Sequence, residues 1–219
     1  MIKISGRRTH DHLYLKDKRY RRNSKFLTKF FLKLIIKKNF KTLIDVGCAN
    51  GDLLNFISKK IPNKNYVGTD VSSKLLKLAK KNNQKIKFIR DDITKKNYKK
   101  LKTDIIHCAG VLNIFDNVEN IISQLISRCK RKGNIYITHY FNDYGIDYIT
   151  RYRDNNNSNQ KQISEMGWNV FSKLTLKKIL KKNKKDLMRT WSTYYKGEKY
   201  FVNGLNFFNK IYFLIIKLK

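Results

Sequence analysis

The chain has 219 residues, of which 41% are hydrophobic, so it is long enough to bury the core of one domain and short for two. Its three cysteines, Cys48, Cys108 and Cys129, are widely spaced without a CxxC pair, which argues against a disulfide framework and against a metal site and favours a reducing compartment. The net charge of +33 predicts attraction to polyanions such as RNA, although a genomic base bias toward lysine codons accounts for part of that charge equally well.

No apolar segment is long enough to cross a membrane. The longest apolar runs, Phe26 to Ile36 and Ile211 to Leu218, are interrupted by lysines and fall short of the roughly 20 apolar residues that a spanning helix needs. The N-terminal sequence MIKISGRRTH is basic but lacks the apolar stretch of a secretory signal. We therefore expect a cytoplasmic protein without a transmembrane segment.

Residues 1–40 are predicted to form an N-terminal helical extension. Apolar side chains recur at helical spacing from Phe26 to Ile35 around a lysine-bearing face, which predicts a helix that covers the main domain. Upstream, between Arg7 and Arg22, basic residues are interleaved with Tyr14 and Tyr20. This segment is either a basic arm for a polyanion or a solvated face.

From residue 41 the pattern alternates between strands and helices. Short β-rich runs are separated by amphipathic segments, which is typical of βαβ units joined by right-handed crossovers. The predicted strands are Thr42 to Val46, Tyr66 to Val71, Ile86 to Ile89, Thr103 to Cys108 and Ile135 to Phe141, and the predicted helices between them include Ser73 to Asn82 and Ile121 to Cys129, the latter broken by Gly133. The fold class is therefore α/β, a doubly wound and mostly parallel sheet with helices on both faces.

The last third of the chain is less regular. A polar segment rich in Asn and Tyr, about 142–172, is predicted to be a lid inserted into a domain that spans 41–219. Leu174 to Lys182 is predicted to be a helix, and Leu187 to Tyr194 and Ile211 to Leu218 are predicted to be the last two strands, with Tyr195 to Lys210 as their connection.

The most specific local motif is the segment TLIDVGCANG, residues 42–51. It is a strand that ends in an acid and continues into a glycine-punctuated turn before a helix. In a doubly wound sheet such a turn lies at the carboxyl edge, where ligands bind, and glycine allows close approach of the backbone. The motif therefore indicates a ligand-binding loop more strongly than an ordinary connection.

This motif resembles the first motif of the class I S-adenosylmethionine-dependent methyltransferases, acid-x-Gly-x-Gly-x-Gly. Asp45, Gly47, Ala49 and Gly51 occupy those positions, with alanine in place of the middle glycine. The spacing differs from the GxGxxG of dinucleotide-binding proteins. The resemblance covers about 41–141 and implies a seven-stranded sheet with an antiparallel last strand, S-adenosylmethionine as the cofactor and a methyl transfer reaction.

The resemblance also implies roles for residues at the ends of the next strands. Asp70 would accept the ribose hydroxyls and Val71 would pack on the adenine; Asp92, preferred to Asp91, would accept from the adenine amino group, with Ile93 on the ring. Backbone contacts to the methionine part are expected around Cys108 and Ala109. The complete set of predicted cofactor-binding residues is Asp45, Gly47, Cys48, Ala49, Gly51, Asp70, Val71, Asp92, Ile93, Cys108 and Ala109.

The acceptor is less defined by the sequence. Pro62 is the single proline, which excludes the Asp/Asn-Pro-Pro-aromatic motif of amino-methylating nucleic acid enzymes and the Pro-Cys nucleophile of DNA cytosine C5-methyltransferases. His139 at the end of the fifth strand is a candidate general base for a hydroxyl acceptor, or a histidine that supports the lid, and His107 is a weaker candidate packed beneath the cofactor. The lid offers aromatic and polar side chains for a sugar or a stacked base, and the predicted substrate-binding residues are Tyr144, Tyr148, Arg151 and Trp168.

Three functions are compatible with these features. The first is methylation of oxygen or nitrogen of a small polar acceptor, such as a sugar, a glycan precursor or a similar metabolite. The second is an RNA methyltransferase that uses the basic surface. The third is a binding protein on the same fold, which the retention of Asp45, Asp70 and Asp92 disfavours.

Overall fold

A computed structural model describes residue 14 and residues 26–95, 102–152, 165–166, 168–183, 187–202 and 205–218. The helices of this part of the chain are α1 (Phe26–Ile35), α2 (Asp52–Lys60), α3 (Ser73–Asn82), α4 (Glu119–Arg128) and α5 (Lys173–Asn183), with a 3₁₀ turn at Leu112–Ile114. The strands are β1 (Thr42–Val46), β2 (Asn65–Asp70), β3 (Lys87–Arg90), β4 (Thr103–Ala109), β5 (Cys129–Asn142), β6 (Arg151–Tyr152), β7 (Glu165–Met166), β8 (Phe171–Ser172), β9 (Leu187–Val202) and β10 (Leu205–Leu218).

The main sheet has the strand order β3-β2-β1-β4-β5-β10-β9, and β8 pairs with β5 beside this path. Pairing from β3 through β5 is parallel, whereas β10 is antiparallel to both of its neighbours. The prediction of a doubly wound, mostly parallel sheet with an antiparallel last strand is confirmed. Because the strands β1 to β5 are parallel, their carboxyl ends share one edge and their amino ends share the other.

The two faces of the sheet bury separate apolar clusters. One cluster receives side chains from α1, α2 and α3, and the other receives side chains from α4 and α5. Local signals explain where these helices begin: α2 follows Gly51 directly, and the Ser72 hydroxyl accepts a hydrogen bond from Leu75 N–H in the first turn of α3. Both helices therefore start at the carboxyl edge of the sheet and end at its amino edge.

The helical extension is part of the core of the domain. Phe31 and Ile35 of α1 are fully buried, and the Phe31 ring lies against His107 of β4 and Tyr136 of β5, with centroids 4.4 and 5.3 Å away. Large buried aromatic rings contribute most of the stabilising area in such a contact. The basic segment between Arg7 and Arg22 lies outside the described residues, except for Tyr14.

Two expectations about the later strands are wrong. The segment Tyr195 to Lys210 was expected to be a connection, but its described residues, 195–202 and 205–210, belong to two long antiparallel strands, β9 and β10, which pair from Leu205 with Val202 to Leu218 with Leu187. Strand β5 begins at Cys129, before Gly133, because a register shift against β4 absorbs extra residues and Lys132 takes a left-handed φ of 63°. The strand thus begins before Ile135, its expected start, and includes Gly133, which was expected to end the preceding helix.

A half-buried acid, Asp104, joins the amino ends of two strands. The Asp104 carboxylate accepts hydrogen bonds from the backbone N–H groups of Lys41 and Thr42 at 2.9 and 2.8 Å, and it pairs with Lys130 Nζ at 2.9 Å. Burial alone would raise the pKa of Asp104, but these hydrogen bonds lower it to about 2.

Within the described ranges, no helix is long and apolar enough to cross a membrane.

Candidate functional site

The glycine motif forms a left-handed loop between β1 and α2. Gly47, Ala49 and Gly51 have φ values of 73°, 49° and 80°. Alanine in this conformation costs roughly 1 kcal/mol or more relative to glycine. The backbone N–H groups of Gly47 and Cys48 both donate to the Thr69 carbonyl, which ties the loop to the end of β2.

Asp70 holds this loop from the neighbouring strand. One carboxylate oxygen accepts from Ala49 N–H and the other from Ser72 N–H, each at 2.9 Å. Such charge-assisted bonds are stronger than neutral ones. Asp70 therefore fixes both the strained residue of the glycine loop and the turn that leads into α3.

Two neighbouring cavities lie at this carboxyl edge. The smaller, of about 110 Å³, has mainly apolar walls, and it is lined among others by Asp70, Val71, Leu75, Ile93 and Phe115. The larger, of about 320 Å³, also has mainly apolar walls, and its lining includes Asp45, Phe56, His107, Thr138 and His139. Both cavities share Tyr14, Gly47, Ala49, Ala109, Gly110 and Trp168. The glycine loop and the end of β4 thus form the boundary between the two cavities.

A buried acid and histidine face each other across β1 and β4. Asp45 and His107 occupy paired register positions, and His107 Nδ1 lies 2.7 Å from Asp45 Oδ1. Each residue is 4% exposed, and the Phe31 ring packs against the imidazole. The pair lies in the wall of the larger cavity. Two ionisable groups removed from water in this way depend on each other for stability.

His139 lies in the same cavity beside the lid. Its ring is tilted against Trp168 with centroids 4.9 Å apart, and it meets the edge of Tyr140 at 5.3 Å. Trp168 is 37% exposed, so one part of the indole contacts His139 while another remains accessible from the cavity. The arrangement places an imidazole and an aromatic face next to one another.

The position of Trp168 is set by the following residue, Asn169, which is fully buried. Asn169 N–H donates to the Asn113 carbonyl, and the Asn113 side-chain amide donates to the Asn169 carbonyl. The Asn169 amide also donates to the Phe115 carbonyl at 2.9 Å. These bonds connect the lid to the segment after β4 and hold Trp168 at the boundary between the cavities.

The two acids that follow β3, Asp91 and Asp92, have different surroundings. Asp91 lines the smaller cavity, and its carboxylate pairs with the buried Arg128 guanidinium of α4. Asp92 is outside the lining of that cavity, and its Oδ1 accepts hydrogen bonds from Thr94 N–H and hydroxyl at 2.9 and 2.6 Å. Ile93 does line the cavity. The preference for Asp92 over Asp91 therefore has no support from the cavity lining.

The cysteines are buried thiols. Burial raises the pKa of Cys48 well above its ordinary value, and the nearby Asp45 and Asp70 carboxylates raise it further. Burial likewise raises the pKa of Cys108, which is fully buried beneath the cavities. Neither sulfur forms a thiolate at neutral pH, so both act as small apolar groups.

The structure brings together most, but not all, of the predicted site residues. Gly51 lies outside both cavity linings. It is the N-cap residue of α2, and its own backbone has a left-handed conformation. Of the predicted substrate-binding residues, Trp168 lines both cavities, whereas Tyr144 and Tyr148 line neither. Tyr148 N–H instead bonds to the Val170 carbonyl. The backbone of Arg151 is in β6, and its side chain lies outside the described residues.

Some lining residues were not anticipated. Tyr14 lines both cavities although it is remote in sequence, and Thr28 of α1 and Phe56 of α2 line the larger one. No motif marks these positions, and Thr28 and Phe56 reach the site only through the packing of their helices. The helical spacing of Phe26 to Ile35 was the available signal that α1 approaches the sheet.

Comparisons with known proteins agree with this architecture. A family model described as a methyltransferase domain matches residues 14–183. A provisionally named methyltransferase, 235L of Invertebrate iridescent virus 6, is 31% identical over 121 residues, which are 54% of this chain and 45% of that protein. A demethylmenaquinone methyltransferase of Thermotoga maritima is 27% identical over 106 residues, 48% of this chain and 46% of that protein. The chain thus spans less than half the length of these curated relatives.

Solved structures share the fold at low sequence identity. An S-adenosylmethionine-dependent methyltransferase from Clostridium acetobutylicum has a TM-score of 0.62 at 16% identity, with 94% of this chain and 97% of that chain covered. The plantazolicin methyltransferase BpumL in complex with SAH has a TM-score of 0.57 at 19% identity, with 88% and 81% covered.

Proposed function

Because the chain belongs to the methyltransferase domain family, with the Rossmann-like fold of class I enzymes, we propose that it transfers a methyl group from S-adenosylmethionine to oxygen or nitrogen of a small polar acceptor. The acceptor class is a sugar, a glycan precursor or a similar metabolite. The observation that carries this proposal is the pair of cavities that meet at the glycine loop, the larger of which is also lined by Asp45, His107 and His139. We place this activity in the cytoplasm, because free cysteines are typical of proteins in a reducing compartment.

The residues around the smaller cavity fit the adenosine part of the cofactor. The apolar side chains of Val71, Ile93 and Phe115 can pack against the faces of a base. The Asp70 carboxylate provides acceptors for the ribose hydroxyls. A Cβ at Gly47 would collide with the Val111 side chain, so glycine keeps the loop close to the end of β4. When bound, the cofactor supplies an activated sulfonium methyl group.

The larger cavity fits the methionine part and the acceptor. Gly47, Ala49 and Ala109 lie at the boundary of the two cavities, and Asp45 and Cys48 lie in the larger one. The exposed part of Trp168 offers an aromatic face for a sugar ring, and His139 beside it accepts a proton from a hydroxyl acceptor. The protein's contribution is to align the acceptor and to remove this proton.

The His139→Ala variant is expected to turn over on the order of a hundredfold more slowly than the wild type, because general base catalysis typically contributes at least that factor. The affinity for S-adenosylhomocysteine should stay within about twofold, and added imidazole should restore part of the rate. The control is Ile149→Ala, at an exposed residue of the lid that lines neither cavity, and it should keep the wild-type turnover. A His139→Ala enzyme with wild-type turnover would remove the base from the mechanism.

Calorimetric titration tests the proposed cofactor directly. Purified protein is expected to bind S-adenosylmethionine and S-adenosylhomocysteine at one site and to leave NAD unbound, because the glycine spacing differs from that of dinucleotide-binding proteins. Folded protein that binds neither sulfur nucleoside would contradict the proposed function.

An RNA acceptor is the second candidate, and the net charge of +33 is the observation that favours it. Turnover that falls steeply as salt rises would support RNA as the substrate, because phosphate contacts release counterions. Turnover that is insensitive to salt would support the small acceptor.

A further inference from the structure

Basic side chains are concentrated at the amino edge of the sheet, opposite to the cavities. Lys41 precedes β1, Lys85 precedes β3, and Lys87 is the first residue of β3. Arg131 and Lys132 lie near the beginning of β5. All five residues are exposed. Lys64 and Lys102 precede β2 and β4, and Lys217 lies near the end of the antiparallel β10. Nearly every strand of the main sheet thus carries a cation where it meets this edge.

The helices extend the same charged surface. Lys59 and Lys60 end α2, and Lys80 and Lys81 lie in the last turn of α3. All four are exposed. Because α2 and α3 lead into β2 and β3, their carboxyl ends lie at the amino edge of the sheet. We call the strand and helix positions together the basic edge.

Acidic side chains have the opposite distribution. Among the residues whose side chains are described, Asp104 is the acid at the basic edge, and Lys130 and backbone N–H groups already hold its carboxylate. The remaining described acids lie within β1 or toward the carboxyl edge and the lid: Asp45, Asp52, Asp70, Asp91, Asp92, Asp116, Glu119, Asp143 and Asp147.

The composition of the chain alone does not explain why basic and acidic side chains lie at opposite edges of the sheet. A base bias adds lysine without regard to position, so it does not remove acids from one edge. Favourable interaction with helix dipoles explains lysines at the ends of α2 and α3, but it does not reach the strand starts at Lys41, Lys87 and Arg131. A polyanion that contacts the edge explains both sets.

We propose that the basic edge binds the phosphate backbone of a nucleic acid. Adjacent strands lie about 4.8 Å apart, so the row from β3 to β10 extends for roughly 24 Å, which suits a linear polyanion that presents phosphates in series. A bilayer would favour a broad face with several insertable apolar side chains, whereas among the described side chains at this edge Ile36, near Lys37 and Lys38, is the large exposed apolar one.

The basic edge is independent of the methyl transfer site. The five residues of β1 separate the two edges of the sheet by about 17 Å, and no residue of the basic edge lines either cavity. A nucleic acid held there is a partner that locates the enzyme, whichever acceptor the cavities receive. The inference therefore goes beyond the proposed function and does not depend on it.

The test uses the full chain and a fluorescently labelled RNA hairpin, with a DNA duplex of the same sequence as a second arm. In the edge variant, Lys41, Lys85, Lys87 and Arg131 are each replaced by glutamine. Its dissociation constant should rise at least about tenfold, and the slope of log affinity against log salt should become shallower by about three, because four phosphate contacts are lost. The RNA and DNA arms show which nucleic acid is preferred.

The matched control replaces Lys74, Lys77, Lys177 and Lys178, which are exposed lysines of α3 and α5, by glutamine. It has the same net charge as the edge variant and should bind within about twofold of the wild type. Equal losses in the two variants would overturn the proposal, as would binding to phosphatidylserine vesicles with no binding to either nucleic acid. Titration with S-adenosylhomocysteine should give the wild-type affinity in both variants, which separates this test from that of the proposed function.

Discussion

The Asp70→Ala variant is expected to bind S-adenosylhomocysteine at least about a hundredfold more weakly than the wild type. Two charge-assisted hydrogen bonds, from Ala49 N–H and Ser72 N–H, disappear with the carboxylate, and each is worth roughly 1.5 kcal/mol or more. Without the hydrogen bond to Asp70, the left-handed conformation of Ala49 is less stable, so we expect the glycine loop to relax. Under the proposed function the ribose also loses its acceptor.

The matched control for this variant is Asp143→Ala. Asp143 is an exposed aspartate that pairs with Lys173 at 2.8 Å, and it lines neither cavity. Its removal should change the affinity by less than about twofold, because exposed ion pairs contribute little. Calorimetry measures both affinities, and circular dichroism checks that both variants are folded. An Asp70→Ala protein with wild-type affinity would contradict the assigned position of the cofactor.

The His107→Leu variant is expected to lose about 3 to 5 kcal/mol of the free energy of unfolding. Leucine removes the partner of Asp45 and leaves a carboxylate, 4% exposed, without the imidazole that lies 2.7 Å away. Breaking one side of a buried pair is more destabilising than replacing both. Denaturant unfolding measures this loss against the wild type.

The double variant Asp45→Asn with His107→Leu tests the same pair without an isolated charge. We expect it to be more stable than the His107→Leu single variant, because the uncompensated carboxylate is gone. It also provides a measurable protein if the single variant does not fold. Equal stabilities of the single and double variants would show that the uncompensated Asp45 carboxylate is not what destabilises the His107→Leu variant.

The parallel half of the fold was predictable because its signals are local. Thr42–Val46 and Ser73–Asn82 have the predicted bounds, since a buried strand and a helix with a serine cap are each defined by adjacent residues. The full lengths of the last two strands were not predicted, because lysines and Gly197 interrupt the apolar pattern of β9. The dipeptide Asn203-Gly204, between Val202 and Leu205, is typical of tight hairpins and was the signal that could have revealed them.

The site was predictable only where one loop defines it. The left-handed Gly47 and the contact of Asp70 with that loop follow from the motif and the strand order. The Asp45 and His107 pair depends on the register of β1 against β4, which the sequence does not specify. Asn169 likewise reaches Asn113 only through the folding of the lid, so the position of Trp168 required the structure.

The most direct test of the account is methyl transfer itself. Purified protein is incubated with S-adenosylmethionine labelled in its transferable methyl group and with an extract of the source cell, and the products are separated into nucleic acid, protein, glycan and small-molecule fractions. We predict label in the glycan or small-molecule fraction, and none above background with the Asp70→Ala variant. Label confined to the RNase-sensitive fraction would make RNA the acceptor and contradict the small polar acceptor, and no transferred label in any fraction would contradict the methyltransferase assignment.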